Sequence, residues 1–444
     1  MNNNYATIPE MFLDVCERYG DKDVYGYKQK GAWSTLSFRD VRREVEELAH
    51  GLASLGVDRG DRVAILSNNN PHWAMGDYAI TSMGGVTVTV YPTLPPAQIQ
   101  FILDDSQSRA IFVENREQAD KVLEFFDQSK FLERMIVMND DRLSKDNVHT
   151  FHDLLEMGKA GKESAAFDFL ERANSVAPDD LLTLVYTSGT TGDPKGVMLT
   201  HNNLISNVRS ALQTIPMNEN DVFLSFLPLS HSFERMAGHY TAFTVGATVY
   251  YAESIDTVAE NISEVRPTVM TSVPRLYEKM YARVLEKVAS DPPLRQKIFW
   301  WAVRVGRKAV EYRQRNRPLP VGLKMKFSVA DKLVFSKLKQ RLGGRLRFFV
   351  SGAAPLSAEI GEFFASADIM ILEGYGLTET SPVMTVNRLE SFKFGTVGMP
   401  IPGVEVRIAD DGEILNRGPN NMKGYFKSEE ATREVIDDEG WLHT

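Results

Sequence analysis

The residues best suited to chemistry in this 444-residue chain form one glycine-rich segment, Tyr186-Thr187-Ser188-Gly189-Thr190-Thr191-Gly192-Asp193-Pro194-Lys195-Gly196. Glycines let the backbone turn tightly and bring N–H groups close to a ligand. Hydroxyl groups and a lysine ammonium donate hydrogen bonds, and phosphate oxygens accept them. The segment therefore predicts a phosphate-binding loop. A polar surface turn is the alternative.

This loop differs from a Walker A loop, which needs G-x-x-x-x-G-K-[ST] at the opening of a helix. Here Lys195 follows a proline, and the chain continues with an alternating pattern over 197–201 that is typical of a strand. A short apolar run at 181–185 precedes the loop. We therefore expect the loop to close a hairpin.

The elements around this hairpin alternate between helical and extended patterns. Apolar residues at helix spacing predict helical structure over 8–56, including a helix at about 38–55. Short apolar segments predict strands at 62–66, 85–90, 110–113 and 135–138. This alternation predicts an α/β protein with largely parallel strands. His72 and Trp73 are expected to cap and pack a helix at 73–84 rather than to line a site.

Three later segments place small or polar residues directly after a predicted strand. The first runs over 221–230 and leads to His231, the second is 346–355, and the third is 370–380. Ligands of open α/β sheets bind at the carboxyl ends of the strands. The loop with His231 is therefore expected to face a ligand, although a buried core histidine is the alternative for His231.

The composition is typical of a globular protein, with 43% hydrophobic and 25% charged residues. The net charge of −9 argues against general nucleic-acid binding. A single cysteine, Cys16, excludes an internal disulfide and is compatible with a reducing compartment. The amino terminus shows no signal-peptide pattern, and no apolar run approaches the roughly 20 residues of a spanning helix.

Residues 276–345 differ from the remainder in charge. They hold 18 lysines and arginines and 5 acidic residues, a local net charge of +13, so the remainder carries −22. Aromatic residues such as Trp300 and Trp301 are interleaved with the basic ones. Solvated helix faces are one interpretation, and a peripheral patch for an anionic membrane surface or an acyl donor is another. Nucleic-acid binding is a third.

The patterns together predict three units. An α/β unit covers 1–180, and a second α/β unit covers 181–390 with the basic helical insertion 276–345. A small β-rich unit, with frequent Gly, Pro and Asp, covers 391–444.

Three segments in chain order carry a resemblance to a known group of enzymes: Tyr186–Gly196, Gly374–Thr380 and the stretch from Gly424 to Thr444. Together they resemble the adenylate-forming superfamily of acyl-CoA synthetases, luciferases and peptide-synthetase adenylation domains. Within it the chain is most similar to bacterial long-chain fatty-acid–CoA ligases, which two more segments support, Leu227–Arg235 and Thr271–Tyr277. The resemblance implies the large N-terminal domain of such an enzyme, with two packed doubly wound subdomains and a small β-rich one.

The resemblance also implies roles for individual residues. Thr187 and Glu379 would be the pair linked to Mg²⁺, and Thr378 would touch the α-phosphate of ATP. The phosphate loop would contribute Thr187, Ser188, Gly189, Thr190, Thr191, Gly192 and Lys195. The backbone of Gly352, Ala353 and Ala354 would form a wall of the adenine pocket, and the ring of Tyr375 would stack on the adenine. Gly374 and Gly376 would also bind the nucleotide. Thr187, Lys195, His231 and Glu379 would form the catalytic set.

By the same resemblance, ATP and coenzyme A are the expected co-substrates and a fatty acid is the expected acid. The acyl chain is expected near His231, Phe233 and Gly352, where each buried CH₂ contributes roughly 0.8 kcal/mol. In the family a glycine, an aspartate, a hinge and a lysine-bearing C-terminal domain follow the position of Thr444. These 444 residues are therefore expected to bind ATP weakly and to form adenylate slowly. Acyl-CoA formation at full rate would contradict this.

Two alternatives stay open on the sequence. One is a ligase for another carboxylate, such as a medium-chain or aryl acid, or an acyl-AMP ligase. The other is a non-catalytic module that binds a nucleotide or an acyl group. The expected location is the cytoplasm, with association at the inner face of the membrane and a homodimer as open additions.

Overall fold

The computed structural model describes residues 4–139, 141–162, 167–187 and 193–444. Within these ranges the strands, in chain order, are β1 (Asp23–Gln29), β2 (Ala32–Ser37), β3 (Arg62–Leu66), β4 (Val86–Val90), β5 (Ser108–Val113), β6 (Arg134–Val137), β7 (Val148–Thr150), β8 (Leu181–Thr187), β9 (Lys195–Thr200), β10 (Val222–Ser225), β11 (Thr248–Tyr251), β12 (Val269–Ser272), β13 (Phe348–Ser351), β14 (Met370–Gly376), β15 (Val383–Val386), β16 (Met399–Pro400), β17 (Glu405–Ile408), β18 (Ile414–Arg417), β19 (Gly424–Tyr425) and β20 (Leu442–His443).

The α-helices in the same ranges are α1 (Ile8–Tyr19), α2 (Phe38–Ser54), α3 (Pro71–Ser82), α4 (Pro96–Ser106), α5 (Arg116–Leu123), α6 (Phe151–Gly161), α7 (Phe169–Asn174), α8 (His201–Thr214), α9 (Thr241–Thr244), α10 (Val258–Val265), α11 (Pro274–Ala289), α12 (Pro293–Gln314), α13 (Val321–Ala330), α14 (Ser336–Arg341), α15 (Ala358–Ser366) and α16 (Glu429–Val435). Glu234–Tyr240 and Asp331–Phe335 are π-helical, and Phe126–Gln128 and Thr378–Thr380 are 3-10 turns.

The first sheet has eight strands in the order β19-β9-β8-β4-β3-β5-β6-β7. The strands from β8 to β7 in this order pair in parallel, and β9 and β19 add antiparallel at one edge. The central strands β3, β4 and β5 are buried almost throughout. Near-continuous apolar runs are typical of parallel sheets covered on both faces, so the predicted α/β class is confirmed.

The second sheet has nine strands in the order β16-β15-β14-β13-β12-β10-β11-β1-β2. Five of these strands, β14, β13, β12, β10 and β11, pair in parallel, and β1 extends the parallel set. The prediction that 8–56 is helical throughout is wrong at this point, because β1 and β2 form a hairpin between α1 and α2. Lys30 and Gly31 turn this hairpin with φ of 51° and 80°, the left-handed backbone that two-residue hairpins require.

The two sheets do not divide at residue 180, where the sequence placed a boundary. Strands β8 and β9 lie beyond that residue, yet they belong to the first sheet. Conversely, β1 and β2 lie before it and belong to the second sheet. Pairing between strands that are far apart in the sequence decides this arrangement, and local sequence patterns do not indicate such pairing.

The last part of the chain is rich in short strands, as its composition indicates. Strands β17, β18 and β20 form a small antiparallel sheet. Strand β19, in contrast, pairs with β9 of the first sheet, with Gly424 opposite Met198 and Tyr425 opposite Val197. The C-terminal segment is therefore attached directly to the hairpin that carries the glycine-rich loop.

A buried ionic network joins the two sheets. The guanidinium of Arg235 pairs with the carboxylate of Asp77 on α3, and the side chains of both residues are almost fully buried. Asp77 also accepts hydrogen bonds from the hydroxyls of Tyr240 (2.6 Å) and Thr87 (2.7 Å), while Arg235 donates to Thr183 Oγ1 (2.7 Å). Because buried charges must be fully paired, this network fixes the π-helical segment against the first sheet.

Candidate functional site

A cavity of about 740 Å³ opens at the carboxyl ends of the strands of the second sheet. Its size is that of an ordinary small-molecule site. Residues from β8, β9, β14 and the loop after β13 reach it together with residues of α8 and of the π-helical segment. The cavity has a polar mouth, lined by Thr187, Asp193, Lys195, Ser232, Tyr375, Thr378, Glu379 and Tyr425. It also has an apolar chamber, lined by Ala211, Ile215, Met217, Phe223, Met236, Ala237, Val350, Val386 and Ile401.

The ends of the predicted hairpin lie at the mouth. Thr187 is the last residue of β8 and Lys195 the first of β9, and the two are directly paired across the antiparallel ladder. The predicted phosphate-loop residues Ser188, Gly189, Thr190, Thr191 and Gly192 lie outside the described residues. The hairpin itself is confirmed.

Tyr425 connects two of the predicted site residues. The Nζ atom of Lys195 lies 5.2 Å from the centre of the Tyr425 ring, and the Tyr425 hydroxyl donates to Glu379 Oε1 at 2.8 Å. Burial, and then the charge of Glu379, raise the pKa of the Tyr425 hydroxyl, so this group stays a donor at neutral pH. Because Tyr425 belongs to β19, the pairing of β19 with β9 places its ring beside Lys195.

The segment from Gly374 to Glu379 follows β14 and lines the mouth. A Cβ atom on Gly376 would lie 1.7 Å from the carbonyl oxygen of Pro382, so only glycine fits where β14 approaches β15. The Tyr375 hydroxyl donates to Thr444 Oγ1 at 3.3 Å, and the Thr378 hydroxyl lies 3.3 Å from that of Ser232. Gly376 is therefore required by the backbone geometry, whatever the ligand.

The loop after β13 places two of its three predicted residues at the cavity. Gly352 and Ala353 line the cavity, whereas the side chain of Ala354 is exposed and outside the lining. Ala353 has a φ of 67°, a left-handed conformation that is strained for a residue with a Cβ atom. A Cβ atom on Gly352 would lie 3.2 Å from the Phe233 ring, so Phe233 packs closely on this glycine.

His231 lines the same cavity and is next to Phe233, whose ring packs on Gly352. Its Nδ1 atom accepts a hydrogen bond from the backbone N–H of Phe233 at 3.1 Å. Burial lowers the pKa of the imidazole, so the ring is neutral and its proton is on Nε2. Among the described residues Nε2 has no hydrogen-bond partner, and His231 can therefore donate one hydrogen bond into the cavity.

The apolar chamber lies between α8, the π-helical segment and the face of the second sheet. Ala211 and Ile215 come from α8, and Met236 and Ala237 come from the π-helical segment. Phe223 stands in the amino-terminal half of β10, away from the carboxyl ends that bear the mouth. The chamber therefore leads from the mouth into the interior, and π-helical turns are frequent where a helix borders a functional site.

One buried carboxyl lies beneath the chamber. Glu234 accepts hydrogen bonds from the hydroxyls of Ser225 (2.6 Å) and Thr271, and the side chain of Thr271 lines the cavity. Burial raises the pKa of Glu234 from 4.5 to about 7. The carboxyl therefore gains its charge close to neutral pH, where small changes in pH alter the charge beneath the chamber.

Replacing Glu234 by glutamine is expected to flatten the dependence of stability on pH. Between pH 4.5 and about 7 the folded chain keeps a proton on Glu234 that the unfolded chain has lost. The raised pKa therefore stabilises the fold below pH 4.5, and this stabilisation is lost as the pH rises through about 7. The slope is at most about 1.4 kcal/mol per pH unit. Urea unfolding at several pH values, with the exposed Glu260→Gln as control, measures it; an unchanged slope in Glu234→Gln would contradict the assignment.

No cluster of three or more histidine, cysteine or acidic side chains able to hold a metal occurs among the described residues. Thr187 and Glu379 nevertheless line the same mouth, and their oxygens are hard donors. Mg²⁺ commonly binds through one or two carboxylates together with substrate phosphates and water. The donor set fits a magnesium ion brought in with a nucleotide.

The comparison with known families gives the chain its place. The model of the family described as AMP-binding enzyme matches residues 12–426. The chain belongs to the AMP-binding enzyme family. It is 35% identical over 426 residues to the long-chain-fatty-acid–CoA ligase FadD15 of Mycobacterium bovis, which covers 96% of this chain and 69% of that protein. It is 32% identical to the peroxisomal long chain acyl-CoA synthetase 7 of Arabidopsis thaliana, over 99% of this chain and 64% of that protein.

Solved structures show the same fold for this AMP-binding enzyme. The anthranilate CoA ligase AuaEII, in complex with anthranoyl-AMP, superposes with a TM-score of 0.74 and 21% identity, covering 98% of this chain and 74% of that one. The N-terminal domain of FACL13 from Mycobacterium tuberculosis superposes with a TM-score of 0.71 and 22% identity, covering 99% of this chain and 95% of that one. The predicted fold, that of the N-terminal domain of adenylate-forming enzymes, is confirmed.

Sequence reasoning on this AMP-binding enzyme missed three residues of the mouth, Asp193, Ser232 and Tyr425, and the whole chamber wall. Tyr425 lies in the Gly424-Tyr425 pair that supports the resemblance, but no local pattern indicates that it reaches Lys195. Ser232 directly follows His231 and was available as a neighbour. The chamber residues of α8 form an ordinary apolar helix stripe, and only the packed structure separates them from core.

Proposed function

We propose that this chain activates a long-chain fatty acid with ATP and then transfers the acyl group to coenzyme A. In the first step a carboxylate oxygen attacks the α-phosphorus, and pyrophosphate leaves. In the second step the thiol of coenzyme A loses its proton, its sulfur attacks the acyl carbon, and AMP leaves. The named relatives FadD15 and acyl-CoA synthetase 7 support this assignment.

One observation supports the proposal more than the others: the polar residues of the mouth, the apolar residues of the chamber and His231 all line one continuous cavity. Such a shape suits a molecule with an anionic head and a long apolar tail. A nucleotide alone would occupy the polar mouth and leave the apolar chamber empty. An apolar chamber next to the mouth therefore favours a ligand that also has an apolar part.

In this proposal the residues of the mouth handle charge. Lys195 offsets the negative charge of the ATP phosphates, and the hydroxyl of Thr187 donates a hydrogen bond to them. Thr378 contacts the α-phosphate. Gly352, Ala353 and Tyr375 bind the adenine ring. The Nε2–H group of His231 donates to the substrate carboxylate and orients it towards the α-phosphorus. Fixed donors that face developing charge lower the barrier because they need no reorganisation.

Magnesium fits this proposal as a companion of ATP. Glu379 and Thr187 would hold it, and when bound it would offset the negative charge of the phosphates. The chain itself contributes the position of Glu379, which the 2.8 Å hydrogen bond from Tyr425 fixes.

The proposal is tested by binding, which does not require turnover. Calorimetry would measure the affinity of the chain for non-hydrolysable acyl-adenylate analogues with alkyl chains of increasing length and with a benzoyl group. Affinity that rises steadily with alkyl length would support a long-chain substrate. Tightest binding of the benzoyl analogue would reject it in favour of an aryl-acid ligase, and absence of binding by every analogue would reject adenylation.

Glu379→Gln is expected to weaken the magnesium-dependent part of ATP binding by about 100-fold. The amide keeps the shape of the side chain and can accept the hydrogen bond from Tyr425, but it lacks the charge that a hard cation prefers. Calorimetric titration with ATP, with and without Mg²⁺, measures the effect.

Tyr425→Phe is the matched control for Glu379→Gln. It removes the hydrogen bond to Glu379 but keeps the carboxylate and the ring beside Lys195. It should therefore weaken binding by about tenfold, the lower end of what one hydrogen bond to a charged group contributes. An equal response of Glu379→Gln to ATP with and without Mg²⁺ would contradict the metal role.

A further inference from the structure

The helix α13 is apolar on two opposite sides. One side packs against the protein: Ala330 is buried in a hydrophobic cluster that includes Phe335, and Leu323 and Phe327 pack against this cluster. The other side bears Val321, 76% exposed, and Met325, 63% exposed. Helices that are apolar all round are normally buried all round. The apolar residues on the outer side of α13 are instead exposed to solvent, without a protein segment packed on them in the described part of the chain.

The exposed apolar residues form one stripe. Val321, Met325 and Val329 are spaced by four, and Leu333 continues the spacing into the π-helical segment. Residues four apart lie on one face of a helix, so the stripe is about 18 Å long at 1.5 Å per residue. Six of the ten large hydrophobic residues that are exposed in the described part of the chain fall within 294–333. The apolar surface is thus concentrated in the basic insertion.

Lysines flank this stripe. Lys324, Lys326, Lys332 and Lys337 are exposed, and none of them forms an ion pair within the described part of the chain. Residues 312–345 hold ten lysines and arginines but one acidic residue, Asp331, which pairs with Lys339 at 2.9 Å. The surface around the stripe therefore carries an uncompensated positive charge.

These two properties favour one kind of occupant. A second copy docked face to face through the stripe would bring two strongly basic surfaces together, which is unfavourable. An anionic lipid surface offers negative charge to the lysines and an acyl layer to Val321, Met325 and Val329. No helix in the described ranges is long and apolar enough to cross a membrane, so the expected contact is a helix lying in the interface.

We propose that the α13 stripe (Val321, Met325, Val329 and Leu333) docks this protein on anionic lipid membranes, with its lysines at the headgroups. Helix α11 connects this insertion to the site, because it begins two residues after the end of β12, whose Thr271 lines the cavity. That the membrane supplies the fatty acid rests on the proposed function. The docking itself does not.

The test is flotation of the purified chain with vesicles of phosphatidylcholine and with vesicles that also contain phosphatidylglycerol. Binding is expected only with phosphatidylglycerol, and it should weaken as salt is added. The double variant Met325→Ser/Val329→Ser should bind at least about tenfold more weakly, because the apolar contacts with the acyl layer are lost. Lys324→Gln/Lys326→Gln should lower the affinity for vesicles with phosphatidylglycerol by about fivefold for each lysine replaced.

The matched control is Ile255→Ser/Ile408→Ser, which changes two residues of similar exposure (68% and 61%) outside the insertion. It should bind vesicles like the unchanged chain. Equal binding to both kinds of vesicle, equal loss in the control, or no flotation would overturn the proposal. So would α13-dependent self-association in sedimentation without vesicles.

The same variants keep this result separate from the proposed function. In the absence of vesicles they should bind the acyl-adenylate analogues unchanged, since none of the substituted residues lines the cavity. If the unsubstituted chain does not bind the analogues, the proposed function is rejected and the docking result is unaffected. Loss of flotation with analogue binding intact would reject the docking alone.

Discussion

Ala211→Phe should shorten the acyl chain that the protein binds. Ala211 is 7% exposed and lines the chamber beside Ile215 and Met217, so a phenyl ring at this position occupies space proposed for the tail. If the ring displaces about six methylenes, a 16-carbon acyl-adenylate analogue loses about 5 kcal/mol of binding free energy, or more than a thousandfold in affinity. An 8-carbon analogue should bind as before.

Calorimetry with the two analogues measures this difference, and retained binding of the shorter one shows that the variant is folded. Ala259→Phe is the matched control: Ala259 is exposed on α10 and does not line the cavity, so both analogues should bind to it normally. If Ala211→Phe weakened both analogues equally, the chamber would not be the tail site. Ala211→Val should give an intermediate limit of chain length, because its side chain is smaller.

Arg235→Leu is expected to lower the free energy of unfolding by about 3 to 5 kcal/mol. The change leaves the carboxylate of Asp77 buried without its ionic partner, and an uncompensated buried charge is costly. The hydroxyls of Tyr240 and Thr87 would still donate to Asp77, which places the loss within that range rather than above it. Urea unfolding of the variant measures the change.

Two further variants test whether the network is the cause. Arg235→Leu/Asp77→Leu removes both charges and should lose less than the sum of the two single changes. Arg43→Leu breaks an exposed pair with Asp40 (3.2 Å), and exposed pairs contribute less than about 1 kcal/mol. A loss at Arg235 as small as that at Arg43 would show that the buried network does not hold the sheets together.

Local sequence was sufficient where chemistry and backbone geometry are both local. The glycine-rich segment between two apolar runs predicted the hairpin of β8 and β9, and the structure confirms it. The loops after β13 and β14 were predicted at the carboxyl ends of their strands, and Gly352, Tyr375 and Glu379 do line one cavity. Thr187 and Lys195, at the two ends of the loop, line it as well.

Local sequence failed where distant segments meet. The turn at Lys30 and Gly31 was a readable signal for the β1–β2 hairpin, but no local pattern indicates that β1 pairs with β11. The contact between Tyr425 and Glu379 depends on the pairing of β19 with β9. Ala354 was predicted, with its neighbours, to form the adenine wall through its backbone; its side chain is exposed and outside the cavity lining, and its role stays a prediction.

The pairing of β19 with β9 also has a consequence for synthesis on the ribosome. The glycine-rich hairpin emerges long before residues 424–425, and until those residues arrive β9 is the outer strand of the first sheet. An outer strand offers unpaired N–H and C=O groups to other chains. A nascent chain therefore carries an unprotected strand edge beside its glycine-rich segment, and the arrival of β19 both covers that edge and brings Tyr425 to Lys195.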